Sequence, residues 1–302
     1  MTTRVFIDGA AGTTGIEIES RLDGRAEFEL LRIDEARRKD PVARRDALNA
    51  ADIVVLCLPD DAAREAVALI DNDTTRIVDA STAHRTTAGW TYGFPELVGH
   101  ETVAASRRVS NPGCYSTGFI ALVAPLVRAG LIEAGARLSS NAVSGYSGGG
   151  KGMIAEFEGA EGAPTAWRTY ALTLAHKHVP EMQHWCGLNS PPLFAPSVAN
   201  LYRGMIVDVP LFGVDANAAR GALQAHYAGS NIVTVGTFDE ANLTVEQAAG
   251  TDRLELFVFD RADGTQCRLV AALDNLGKGA SGAAVQSLNL MAGLPEETAL
   301  RL

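Results

Sequence analysis

Short apolar runs alternate with helical patterns through the first eighty residues, and this alternation restricts the fold more than any other feature. Residues 4–8 (RVFID), the run FELLRI ending at Asp34, residues 52–58 and the segment TRIVDAS read as strands. Between them, IEIESRLDG, a charged Ala-rich stretch at 37–50 and DDAAREAVALI read as helices or loop plus helix, with Asp60 or Asp61 as the cap of the last. The strands carry no polar alternation, so both of their faces must be covered. Strands of this kind joined by helices form a doubly wound parallel sheet, an α/β fold of Rossmann type.

The texture changes near residue 113. A long apolar helical stretch (YSTGFIALVAPLVRAGLI) is followed by runs with strand-like alternation, including GMIVDVPLF, NIVTVGTF and DRLELFVFD. This pattern predicts an α+β unit with a mixed, mostly antiparallel sheet. The tail GASGAAVQSLNLMAGL is helical and rich in small residues, which suits close packing.

The chain has 302 residues and a net charge of −10. Acidic protein and nucleic-acid phosphate repel each other, so nucleic acid is not expected as a partner. No run reaches the ~18 consecutive apolar residues of a membrane span. The N-terminus enters a strand directly, without a charged segment leading into an apolar one. A cytoplasmic protein without a secretory leader is therefore expected. The four cysteines (Cys57, Cys114, Cys186 and Cys267) are far apart and form no CxxC pair, which argues against a zinc site or a disulfide framework.

Gly9-Ala10-Ala11-Gly12-Thr13-Thr14-Gly15 follows the first strand and opens a helix. Glycines there permit a tight turn and bring backbone N–H groups and the positive end of a helix to a pyrophosphate. At the end of the second strand Asp34 is surrounded by Arg32, Arg37, Arg38 and Lys39, a cationic setting that favours the 2′-phosphate of NADP over NAD.

Asn111-Pro112-Gly113-Cys114 stands before the long apolar helix. The Pro-Gly turn puts Cys114 at a helix start, where the dipole favours a thiolate. His176, His178 and Glu181 supply proton-transfer groups within six residues. Ser144-Gly145 through Lys151 forms a small-residue loop suited to a phosphate or oxyanion. Ser81 and Arg85 follow the fourth strand, where such sheets bind ligands, and Arg85 can clamp an anion.

Taken together, DGAAGTTG, DASTAHR, NPGCYSTG, SGYSGGGK, HKHVPEM and LDNLGKGASGAAVQSLNLM resemble the N-acetyl-gamma-glutamyl-phosphate reductases of arginine biosynthesis, in their shorter subfamily. The resemblance runs from residue 8 to about 291. It implies an NADP-binding domain at 1–112 with 276–302, and a catalytic and oligomerisation domain at 113–275 of the kind in glyceraldehyde-3-phosphate and aspartate-semialdehyde dehydrogenases. Cys114 is the implied nucleophile and His176 the implied acid/base, supported by His178 and Glu181.

Cofactor contacts are then expected from Gly9, Gly12, Thr13, Thr14, Gly15, Arg32, Arg38, Pro59, Ser81, Gly149 and Asn275. Substrate contacts are expected from Arg85, Asn111, Ser144, Gly145 and Lys151, with no metal and with a homodimer or homotetramer as the assembly. The expected chemistry is attack of the Cys114 thiolate on an acyl phosphate, with backbone N–H groups at the helix start holding the oxyanion. Hydride reduction of the resulting thioester follows. A reductase for a different acyl phosphate, aspartyl or aminoadipyl, and a non-catalytic NADP sensor share these features.

Overall fold

A computed structural model of the chain describes residues 2–37, 40–238 and 240–302. Two compact units are formed: the chain up to Pro112 together with Ala280–Leu300, and Gly113–Gly279 together with Arg301–Leu302. Residues 276–279 thus stay with the second unit, where Asp274 O accepts from the N–H groups of Gly277 (3.1 Å) and Gly279 (3.0 Å). Arg301 stays there too, paired with Asp252 through both main-chain and side-chain bonds.

The first unit runs β1 (Thr3–Asp8), α1 (Thr13–Leu22), β2 (Phe28–Leu31), α2 (Pro41–Ala50), β3 (Ile53–Leu56), α3 (Asp60–Leu69), β4 (Arg76–Asp79), β5 (Thr91–Tyr92), α4 (Pro95–Val98), α5 (His100–Ala105) and β6 (Arg108–Ser110). Its sheet has the order β2-β1-β3-β4-β6-β5, with every pairing parallel. The strand order reverses between β1 and β3, which is where sheets of this type open a crevice for ligands.

Apolar side chains leave both faces of each strand. Val5 and Ile7 enter a core with Ile18, Leu22 and Val285, while Phe6 enters the opposite core with Leu48, Ala63 and Ala66. Asp40 caps α2, accepting from Val42 N–H at 2.9 Å just before Pro41. The cap expected of Asp60 on α3 is not made. Pro59 occupies the cap position without a side-chain bond. Asp60, one residue inside the helix, turns its carboxylate to Thr82 N–H (2.9 Å) and Thr82 Oγ1 (2.5 Å).

The second unit runs α6 (Cys114–Arg128), β7 (Ser139–Gly145), α7 (Gly150–Phe157), β8 (Trp167–Thr169), α8 (Val179–Cys186), β9 (Leu193–Ala199), β10 (Met205–Phe212), α9 (Ala216–His226), β11 (Val233–Gly236), β12 (Leu254–Asp260) and β13 (Gln266–Leu273). The last helix, α10 (Gly282–Met291), returns to the first unit and supplies Val285 and Leu288 to its core. The second sheet has the order β11-β12-β13-β10-β7-β9-β8 and is mixed: β11–β12 and β7–β9 are parallel and the other neighbours antiparallel.

Helix α6 is apolar on all sides because residues 115–126 are buried. It lies close on the sheet at Gly118, where a Cβ would sit 2.8 Å from Val207 Cγ2 and 3.4 Å from Ala271 Cβ.

Gly118→Val should therefore lower the urea midpoint, at a cost of about 2–3 kcal/mol for overpacking a filled core. Gly152→Ala, also helical but with nothing within 4 Å of the new Cβ, should not. Equal midpoints for the two variants would show that α6 does not press on the sheet at Gly118.

Candidate active site

In the first unit the glycine turn is held by its backbone contacts. Gly9 has φ +90°, and a Cβ there would lie 2.3 Å from Cys57 O. At Gly15 a Cβ would lie 2.6 Å from Gly9 O, and at Gly12 it would lie 3.3 Å from the same oxygen. Gly12 caps α1 with no side-chain bond, and Thr13 and Thr14 are the first residues of the helix. A cavity of about 500 Å³ opens beside this turn, lined by Asp8–Ala11, Leu30–Ile33, Leu58, Arg44 and others. A side chain at Gly9 or Gly15 would collide with backbone, so glycine alone lets this turn close tightly ahead of α1, whose start has no side-chain cap. The residues present fit a dinucleotide.

Arg32 lines the cavity and is paired with Glu19 and Asp23, each at 2.9 Å. Arg38 lies outside the described residues. A second cation, Arg44, also lines the cavity and was not expected. It bonds Asp8 at 2.8 Å and Glu65 at 3.0 Å. Nothing in the sequence marks this pair, because its partners are 36 residues apart.

Beyond β4 the turn at 80–85 is heavily bonded. Asp79 Oδ1 accepts from Ser81 N–H (2.9 Å), and Asp79 Oδ2 accepts from Ser81 Oγ (2.8 Å) and lies 2.6 Å from His84 Nδ1. Arg85 is buried, with Nε donating to Asn111 O at 2.9 Å and Nη2 to Ala80 O at 3.3 Å. Asn111 is buried as well, and its Nδ2 donates to Ala280 O at 3.0 Å. Two donors of the expected anion clamp are thus engaged with main-chain carbonyls.

In the second unit Cys114 is the first residue of α6 and is partly exposed. Burial pushes the other thiols up: Cys57 to about 12, Cys186 still further, and Cys267 in the same direction. Gly279 passes so near that a Cβ on it would sit 2.9 Å from Cys114 Cβ. Glu181, buried at the start of α8, accepts from Gly113 N–H at 2.9 Å and from Ser116 Oγ at 2.8 Å. These bonds attach Glu181 to the start of the cysteine helix. They also engage one of the N–H groups expected to hold the oxyanion.

The segment that carries Glu181 also carries the histidines. The Tyr115 ring lies edge-on to His176 (6.0 Å between centroids) and to His178 (5.9 Å). His176 is half-buried among Tyr115, Tyr170, Phe194 and His178, whereas His178 is buried. Nδ1 of His176 accepts the His178 main-chain N–H at 3.2 Å, so the neutral ring carries its hydrogen on Nε2. Tyr170 donates to the Tyr115 hydroxyl at 3.1 Å, and Tyr115 donates to Ser197 O at 3.0 Å. Burial pushes the Tyr170 hydroxyl up to about 12, with the nearby Cys114 a further cause. Neither tyrosine was among the residues expected at the site.

The Gly-rich segment is a strand end and a helix start. Gly145 ends β7, where a Cβ would meet Tyr202 O at 2.6 Å, and Ser144 Oγ donates to Gly145 O at 3.0 Å. Gly149 precedes α7, and Lys151 is exposed on that helix. The Asn275 carboxamide is held inside the unit, accepting from Gly204 N–H at 3.0 Å and donating to Ser147 Oγ at 2.8 Å. Among the described residues, no cluster of His, Cys, Asp or Glu could hold a metal ion, and no helix is long and apolar enough to cross a membrane.

Comparison with known proteins bears on both units. Residues 4–105 match the family described as semialdehyde dehydrogenase, NAD binding domain, and residues 114–275 match semialdehyde dehydrogenase, dimerisation domain. The chain is 49% identical to the N-acetyl-gamma-glutamyl-phosphate reductase of Rhizobium meliloti over 96% of its own length and 99% of that protein. It is 50% identical to N-acetyl-gamma-glutamyl-phosphate reductase 2 of Pseudomonas putida, over 97% of both. Among solved structures, aspartate semialdehyde dehydrogenase II from Vibrio cholerae aligns with a TM-score of 0.71 at 18% identity, over 97% of this chain and 99% of that one. The aspartate semialdehyde dehydrogenase from Francisella tularensis aligns at 0.73 and 13% identity, over 96% and 100%. At such identities these structures establish the shared fold. With half its residues shared across nearly full length, the chain belongs to the N-acetyl-gamma-glutamyl-phosphate reductase family of oxidoreductases.

Proposed function

We propose that this protein reduces N-acetyl-L-glutamyl 5-phosphate to the 5-semialdehyde in arginine biosynthesis, with NADPH as reductant and a thioester on Cys114 as intermediate. One observation carries the reading: the buried Glu181 carboxylate bonds Gly113 N–H and Ser116 Oγ on either side of Cys114, joining the histidine segment to the nucleophile. Homodimers or homotetramers in the cytoplasm, associating through the second unit, complete the proposal.

Cys114 Sγ attacks the acyl carbon, the C–O bond to phosphate breaks, and the thiol proton leaves with the phosphate. Gly9, Gly12 and Gly15 at the turn of the first unit would hold NADPH, which would supply a hydride to the thioester carbon. The C–S bond then breaks, the aldehyde departs, and solvent returns a proton to the sulfur. Gly113 N–H is already engaged by Glu181, so His176 takes the oxyanion role. Its Nε2–H donates to the acyl oxygen whenever that oxygen carries negative charge, a contribution of roughly 3 kcal/mol. The tyrosines and Phe194 limit water around the ring, which protects a thioester from hydrolysis.

Cys114→Ser should leave NADPH binding intact and abolish phosphate-dependent oxidation of N-acetylglutamate semialdehyde. Retention of more than a few per cent of turnover (roughly 2 kcal/mol of barrier) would sink the covalent role. A faster reaction with aspartate semialdehyde would reassign the substrate. His176→Ala is expected to lower kcat by about a hundredfold or more, as loss of an oxyanion donor does, and by more than His178→Ala. The reverse ranking would move the role to His178.

Arg32 supports the cofactor choice, since it lies at the cavity edge just beyond β2. Arg32→Ala should raise KM for NADPH about tenfold, the size of one charge-assisted hydrogen bond, and leave KM for NADH nearly unchanged. Equal effects on both would place the 2′-phosphate contact elsewhere.

A further inference from the structure

The turn after β4 contains a histidine and a carboxylate for which the reaction above has no use. Asp79 and His84 are buried, and their side chains meet at 2.6 Å. The His84 ring also stacks on Trp90, 4.0 Å between centroids and 11° between planes. A buried imidazole fixed by a carboxylate on one side and an indole on its face has a single orientation.

The surrounding bonds decide what the turn can offer a ligand. Ser81 N–H is held by Asp79, Thr82 N–H by Asp60 at 2.9 Å, and Ala83 N–H by Ser81 Oγ at 3.1 Å. Three successive backbone donors are thus engaged by side chains. A phosphate-binding nest needs such donors directed at the anion, so this turn is no phosphate site. Its place in the fold still makes it a ligand wall. It leaves the carboxyl end of β4, on the far side of the β1/β3 reversal from the cavity next to β2. A dinucleotide bound across that reversal lays its adenosine half towards β1 and β2 and its other half towards β3 and β4. The half that arrives at β4 is the nicotinamide riboside, which carries no phosphate of its own, is cationic when oxidised and neutral when reduced, and donates hydrogen bonds through its hydroxyl and carboxamide groups.

We propose that Asp79 and His84 form a positioning pair that fixes the 80–85 turn as the wall receiving the nicotinamide riboside half of the cofactor. The pair touches neither phosphate nor adenosine. It acts through the turn, by holding Ser81 from Asp79 and by setting the turn's far end through the stack on Trp90. This rests on the reading that the first unit binds NADP.

The test is equilibrium titration of the wild-type chain, His84→Phe and His84→Asn with two ligands. One is NADP+. The other is 2′-phosphoadenosine 5′-diphosphate, which keeps the adenosine and phosphates and lacks the nicotinamide riboside. Phenylalanine keeps the stack and loses the bond to Asp79, whereas asparagine places an N–H where Nδ1 stood. His84→Phe should weaken NADP+ about tenfold, one hydrogen bond to a charged group, and leave the shorter ligand unchanged. His84→Asn should restore most of the NADP+ affinity.

Equal weakening of both ligands would make the pair a general element of the fold and overturn the proposal. So would an unchanged NADP+ affinity in His84→Phe, or an asparagine variant no better than the phenylalanine one. A wild-type chain that prefers NAD+ overturns the NADP reading alone, and the same comparison with NAD+ and ADP then decides the pair. A wild-type chain that binds neither dinucleotide overturns both.

Discussion

One carboxylate sets the geometry of the second unit's site. Glu181 is buried where α8 begins, and its two oxygens take Gly113 N–H and Ser116 Oγ at the beginning of α6. A buried charge is tolerated only when its oxygens are bonded, and removing a partner leaves a penalty of several kcal/mol. The two helix starts are therefore bound to each other, and what each carries follows. Cys114 opens α6, while His178 stands at the cap of α8 with His176 two residues before it. Tyr115, next to the cysteine, packs against both rings, so that the histidines and the thiol share one aromatic wall.

The sequence made the skeleton of this arrangement readable and hid its wiring. β1, β3 and β4 are legible because strands covered on both faces must be apolar throughout, and their neighbouring helices show the matching stripe. β5, α4 and α5 are too short to establish a period and lie in a stretch without one. Cys114 is legible because Pro112 and Gly113 end one element and the apolar run begins another. Glu181 is different. Three residues past His178, it reads as the partner of a histidine. In the folded chain it sits in the first turn of α8 and points to a helix start 68 residues earlier in the sequence. The same distance problem hides Arg44 with Asp8 and Tyr170 with Tyr115, since no local pattern reports a contact across 36 or 55 residues.

Asp60 and Asn275 teach a related lesson from the other side. Local context offers Asp60 or Asp61 as a helix cap, and the family resemblance implies Asn275 as a cofactor contact. Asp60 is the first residue of α3, past the cap position, and its carboxylate bonds the turn after β4. Asn275 has both ends of its carboxamide occupied by Gly204 and Ser147. Short polar side chains near strand and helix ends tie loops together as readily as they bind ligands, and only the folded partners distinguish the two uses.

The engagement of Gly113 N–H changes the electrostatics expected of the cysteine. A helix start carries roughly half a positive charge, shared among its first N–H groups. The Glu181 carboxylate already draws on that charge through Gly113 N–H, which leaves less of it for a thiolate and then an oxyanion. A second positive or donor group has to supply the difference. In the function proposed above, His176 supplies it in the tautomer its Nδ1 contact selects, with the hydrogen on Nε2. On that proposal, the carboxylate that holds the start of α6 and the histidine that completes its charge come from one short segment, so a shift of that segment moves both at once.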